Sequence, residues 1–138
     1  MKTMYKAKAT ATGGRNGKVE SEDGLISMTT RVPKSMGGEG GAYTNPEQLF
    51  AATWSTCFNG ALDLVIKQEG VETGKTSITA TVGIGKQKDG LGINAVMEGH
   101  IPGVDKEKAM DLMKKAHQVC PYSKATRGNV EVELRVAE

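Results

Sequence analysis

From Tyr5 to Thr12 the chain alternates, with Tyr5, Ala7, Ala9 and Ala11 on one side and Lys6, Lys8, Thr10 and Thr12 on the other. That period of two predicts a half-buried strand. Gly13-Gly14-Arg15-Asn16-Gly17 reads as a turn with access to positive φ, and Lys18 to Ser21 as its partner strand. Asp23-Gly24 turns the chain again into a third strand, Leu25 to Val32, which Pro33 ends before a glycine-rich loop (Gly37, Gly38, Gly40, Gly41). The pattern then changes period. Asn45-Pro46-Glu47-Gln48 combines an N-cap, proline at the first helical position, an acid in the first turn and Gln at the capping-box position. A helix is predicted from there to about Glu69, stopped by Gly70.

Between Leu49 and Ile66 this helix is apolar on nearly all sides, with Ala51, Ala52, Ser55, Gly60 and Ala61 allowing close packing. Such a helix is expected to be buried. The short chain leaves few residues to wrap it, which points to cover from a second subunit. Alternation resumes in Ser77 to Gly85 and Leu91 to Ile101 around Lys88-Asp89-Gly90, a second hairpin. Asp105 caps a helix with Ala109, Leu112, Met113 and Ala116 inward. Cys120-Pro121 opens a short turn or helix ending near Gly128, and Val130, Val132, Leu134 and Val136 alternate in a last strand. The order βββ–α–ββ–αα–β predicts an α+β fold. With no repeat or linker, residues 1–138 read as a single domain.

Composition narrows the function. The net charge is +2 without a basic block and aromatics are 4% of the chain, so neither a phosphate-binding surface nor a base-stacking platform is expected and no nucleic-acid partner is predicted. The first residues lack the apolar run of a signal peptide, and Asn59 and Asp63 interrupt the most apolar stretch. The expectation is a cytoplasmic protein without a membrane partner. In that compartment a disulfide is transient and catalytic rather than a staple.

The chain has two cysteines, Cys57 and Cys120. Cys57 lies mid-way along the apolar helix, where desolvation holds the proton on sulfur. Lowering a thiol pKa from ~8.5 to ~5.5 takes about 4 kcal/mol of preferential anion stabilisation, within reach of one buried guanidinium but not of exposed lysines. Arg15, in its glycine-bracketed turn, is the candidate, and a buried arginine requires a partner. Glu47 could be that partner; alternatively it only complements the helix dipole. Glu47 and Cys57 are ten positions apart, about 15 Å on a straight helix. Either the helix breaks between them or Glu47 serves the cysteine of another subunit. Cys120, before Pro121, sits at a helix start, where backbone N–H groups favour a thiolate. His117 and Cys120 have a spacing some metal sites use, but His100 and Cys57 would both have to converge to complete a tetrahedron. No metal site is predicted, and no nucleotide-binding or nucleophile-elbow motif occurs.

Thr44-Asn45-Pro46-Glu47-Gln48-Leu49-Phe50-Ala51-Ala52 followed by Cys57-Phe58 resembles the first-cysteine region of the organic hydroperoxide resistance proteins, within the OsmC/Ohr family. Val119-Cys120-Pro121-Tyr122-Ser123, continuing through Ala125-Thr126-Arg127-Gly128-Asn129, resembles the second, and Ala9 to Arg15 the segment carrying the family arginine. The resemblance implies an intertwined homodimer with antiparallel sheets wrapped around central helices. It implies a thiol-dependent peroxidase acting on organic hydroperoxides, fatty-acid hydroperoxides included. Carried over residue by residue, Cys57 is the peroxidatic cysteine, Cys120 the resolving cysteine with which it forms a disulfide, Arg15 the activating arginine and Glu47 its anchor. An external dithiol, lipoyl groups by family likeness, would reduce the disulfide, and no metal, flavin or haem is implied. Phe50 and Phe58 are candidate contacts for an alkyl peroxide. A redox sensor that oxidises without turnover, or a structural dimer with inert thiols, are the alternatives.

Overall fold

The computed structural model describes residues 1–138 and has the α+β composition expected, with two three-stranded sheets and three α-helices. The chain divides into two compact units, Met1–Leu49 and Phe50–Glu138. The first contains β1 (Ala9–Thr12), β2 (Lys18–Ser21) and β3 (Ser27–Thr29), an antiparallel meander. Here the structure corrects the expected half-buried strand from Tyr5. Tyr5 to Lys8 are not in a strand, and every residue of β1 is exposed. Alternation reports that one face suits cover, but no layer of this unit lies over the meander, and Leu25, Ile26 and Met28 also remain exposed.

Helix α1 (Pro46–Glu69) begins and ends where its caps place it. The Asn45 Oδ1 accepts the Gln48 N–H at 2.8 Å, and the Thr44 hydroxyl bonds the Gln48 side chain at 2.8 Å. At the far end Gly70 adopts φ 66°, and the Val71 N–H reaches back to the Ile66 carbonyl at 3.2 Å, closing a Schellman-type turn.

The second unit carries a sheet in the order β4 (Ser77–Gln87), β5 (Gly90–His100), β6 (Glu131–Val136). β4 and β5 form the predicted hairpin, closed through Lys88 and Asp89, and β6 lies parallel to β5. A parallel neighbour needs a crossover connection, supplied by α2 (Lys106–Val119) and α3 (Pro121–Thr126). Asp105 caps α2 by accepting the Lys108 N–H at 2.7 Å. The core joins Trp54, Phe58, Ala61, Leu62, Val65 and Ile66 of α1 to Ala95 and Met97 of β5 and the four predicted inward residues of α2. Gly99 belongs to the approach of α2 to the sheet: a Cβ there would collide with the Met113 sulfur.

Within the second unit α1 is covered on one side only, and the sequence already predicts that part of its cover comes from a second subunit. Ala52, Thr56, Gly60 and Leu64 recur at helical spacing on the other side and are exposed. By length and hydropathy α1 could cross a bilayer. Its apolar side is instead part of the protein core, and Asn59 and Asp63 both hydrogen-bond the Thr76 hydroxyl at 2.8 Å.

Candidate functional site

In the first unit, Gly13 and Gly14 take positive φ (79° and 61°) and let the chain wind into a single 3₁₀ turn, Gly14–Asn16, with Arg15 at its centre. Thr30 anchors this turn. Its buried hydroxyl accepts the Gly17 N–H at 3.0 Å and donates to the Gly14 carbonyl at 3.1 Å, while its own N–H bonds the Gly17 carbonyl at 2.8 Å. The Asn16 side chain accepts the Val32 N–H at 3.1 Å. Sequence reasoning missed Thr30 because nothing in a strand-like threonine marks it as a loop anchor.

The Arg15 guanidinium meets the Glu47 carboxylate in a two-pronged pair, Nη1 to Oε2 at 2.9 Å and Nη2 to Oε1 at 2.8 Å. This fork geometry is the strong form of the contact. The Arg15 hydrogen bonds hold the Glu47 carboxyl below the usual carboxylate range, and Glu47 raises the arginine further above its own. The pairing considered from sequence is therefore present, and the guanidinium is fixed rather than free.

In the second unit, Cys57 and Cys120 are both free thiols, the first half-buried and the second wholly buried. They are close enough for Cys120 to act on the Cys57 thiol. Burial pushes the Cys57 thiol up; the neighbouring Cys120 thiol pushes it further, and the Tyr122 backbone N–H acts in the opposite direction. Cys120 ends α2, its N–H bonded to the Ala116 carbonyl at 2.9 Å, and caps α3, its carbonyl accepting the Lys124 N–H at 3.0 Å with Pro121 next in line. Beside the thiols, the Trp54 Nε1 donates to the Ser123 Oγ at 3.2 Å between two side chains without exposed surface.

Of the two phenylalanines, Phe50 is partly buried, edge-on to Trp54 with ring centres 5.5 Å apart. Phe58 is fully buried and stacks on His117 at 6.2 Å. Burial and the charge of Arg127 lower the His117 pKa, and its buried Nδ1 has no hydrogen-bond partner. No group of three or more His, Cys, Asp or Glu side chains converges in a way that could hold a metal ion. The break in the helix between Glu47 and Cys57, one of the two alternatives left open by their spacing, is absent: α1 is continuous.

Residues 38–135 match the family model described as OsmC-like protein. Over 137 residues the chain is 47% identical to an organic hydroperoxide resistance protein of Xanthomonas axonopodis pv. citri, covering 99% of this chain and 96% of that one. Among solved structures, an organic hydroperoxide resistance protein from Elizabethkingia anophelis superposes with a TM-score of 0.94 at 54% identity, covering 100% of this chain and 99% of the other. The organic hydroperoxide resistance protein OhrB of Bacillus subtilis gives a TM-score of 0.89 at 40% identity over 98% and 100% of the two chains.

Proposed function

Since this chain belongs to the OsmC/Ohr family, we propose that it is a thiol-dependent peroxidase that reduces organic hydroperoxides, fatty-acid hydroperoxides among them, to alcohols. It thereby contributes to resistance against organic peroxide stress, the property for which its relatives are named. The observation that carries this reading is the adjacency of Cys57 and Cys120 in a shielded part of the second unit.

The Cys57 thiolate attacks one peroxide oxygen, the O–O bond breaks, and the alkoxide leaves and takes a proton to become the alcohol. Cys57 is left as a sulfenic acid. The neighbouring Cys120 thiol condenses with it, expelling water and forming the disulfide before further oxidation. A dithiol, with lipoyl groups the family expectation, then returns both cysteines to thiols by exchange. The cycle uses no metal, flavin or haem.

Everything acting on Cys57 within its own unit, the Tyr122 N–H excepted, favours the protonated thiol, so the thiolate requires a cation from elsewhere. Arg15 supplies it in this reading, held in position by Glu47. Its charge would stabilise both the thiolate and the oxygen that departs. With α1 unbroken, the Arg15–Glu47 pair of one subunit serves Cys57 of another in a homodimer, whose contact would also cover the open side of α1. Phe50 offers apolar surface to the alkyl chain, whereas Phe58, wholly inside the core, has none to offer. The protein is assigned to the cytoplasm.

Consumption of cumene hydroperoxide by the purified protein with dihydrolipoamide tests this directly. The wild type turns over and Cys57→Ser does not; turnover that survives this substitution contradicts the assignment.

A further inference from the structure

Trp54 is one turn before Cys57 on α1, and Ser123 one turn after Cys120 on α3. Their hydrogen bond is the only one joining a side chain of α1 to a side chain of α3. We propose that the Trp54–Ser123 hydrogen bond is a clamp that sets how fast Cys120 closes onto oxidised Cys57, making both positioning residues for disulfide formation. The proposal rests on the reading of the two cysteines as partners in a disulfide.

Three observations support it. Both side chains are at 0% exposure, and an indole N–H can only donate, so displacement of Ser123 would leave a buried donor without a partner. The indole is itself held edge-on by Phe50. Finally, Cys120 is the corner between α2 and α3. α2 is fixed by its inward face, whereas α3 has six residues, too few to be stable alone. The setting of α3 therefore depends on its anchors, and with it the direction of the Cys120 thiol.

In the step concerned, the Cys120 sulfur attacks the Cys57 sulfur, the S–S bond forms, the S–O bond of the sulfenic acid breaks, and hydroxide leaves with the Cys120 proton as water. Cys120 has no exposed surface, so the rate follows from how well the thiol is already aligned.

The test uses full-length Trp54→Phe, Ser123→Ala and Ser123→Thr proteins. Each is reduced, mixed with one equivalent of cumene hydroperoxide, quenched in acid at intervals and weighed intact. The first oxidation of Cys57 should stay within about twofold of wild type, and closure should slow by about fivefold in Trp54→Phe and Ser123→Ala. Excess peroxide should then raise the sulfinic acid fraction. Ser123→Thr, which retains the hydroxyl, should restore closure.

Equilibration with the glutathione couple, which needs no peroxide, should shift toward the dithiol by about fivefold in the same two variants. If wild-type protein is not oxidised by the peroxide but these equilibria shift, the peroxidase reading fails and the clamp stands. Closure rates and equilibria equal to wild type in both variants, even with a lowered melting temperature, overturn the clamp. Equal slowing of the first oxidation and of closure overturns it as well. Trp54→Phe keeps an aromatic ring in the core and supplies the answer should Ser123→Ala fail to fold.

Discussion

Around Arg15 the protein is polar, shallow and held by hydrogen bonds; around Cys57 and Cys120 it is apolar, deep and held by packing. The guanidinium keeps partial contact with solvent, 36% of its side chain exposed, and is fixed by one carboxylate and by a loop that Thr30 ties down. The Cys120 thiol has no exposed surface, and Cys57 is pushed toward its protonated form by burial and by its neighbour. Each region lacks what the other has. A permanent cation needs no assistance to remain charged but has no redox chemistry. A buried thiol has the chemistry but, without a positive charge, only a small thiolate fraction near neutral pH. Bringing them together in an assembly would produce a reactive sulfur without leaving either group exposed to side reactions.

Removing the cation should have the largest effect on this relationship. Arg15→Ala is expected to slow peroxide reduction about 10²–10³-fold, as loss of a key transition-state donor does elsewhere. It should also move the ultraviolet absorbance transition of the Cys57 thiolate to higher pH. An unchanged transition would mean that the arginine does not act on that sulfur.

Loosening the loop while retaining the charge should have a smaller effect. Thr30→Val removes the acceptor for the Gly17 N–H and the donor to the Gly14 carbonyl. A loss of about 1–3 kcal/mol of stability is expected in chemical denaturation, with a decrease in turnover smaller than that of Arg15→Ala. Turnover as low as that of Arg15→Ala would instead assign Thr30 a direct part in the chemistry.

The smallest effect is a pH dependence. Because Arg15 holds the Glu47 carboxyl below the ordinary carboxylate range, the pair contributes stability that is complete above that range and disappears as pH falls through the lowered value. Partial exposure limits it to less than about 1 kcal/mol. The melting temperatures of wild type and Glu47→Gln should therefore differ near neutrality and converge on acidification below about pH 4. A difference that widened on acidification would show that the pair does not behave as an ion pair.

Local patterns made much of this structure legible. The start and end of α1 follow from Asn45, Pro46 and Gly70, and the β4–β5 hairpin and the buried side of α2 follow from their periods and turns. Contacts between distant positions were not legible. Trp54 and Ser123 are 69 residues apart, and no periodicity relates an indole to a hydroxyl at that separation. Thr30 reads as an ordinary strand residue until its hydroxyl is seen bridging the Arg15 turn. The failure at β1 and the open side of α1, for which a second subunit is the expected cover, share one cause. Hydrophobic patterning records that a surface suits cover, not whether the covering element belongs to the same chain. For the candidate residues, sequence reasoning proposed Arg15 and Glu47 as a pair, and the fork geometry realises it. The clustering of Cys57 with Cys120 followed only from family likeness, since the 62 residues of intervening chain carry no local signal.

The most direct test of the account is an intact-mass and free-thiol measurement on fully reduced protein given one equivalent of cumene hydroperoxide. The expected result is the loss of both thiols with the mass change of two departing hydrogens and no added oxygen, reversed by dihydrolipoamide. Retention of both thiols, or a stable oxygen adduct on Cys57 with Cys120 still free, would contradict it.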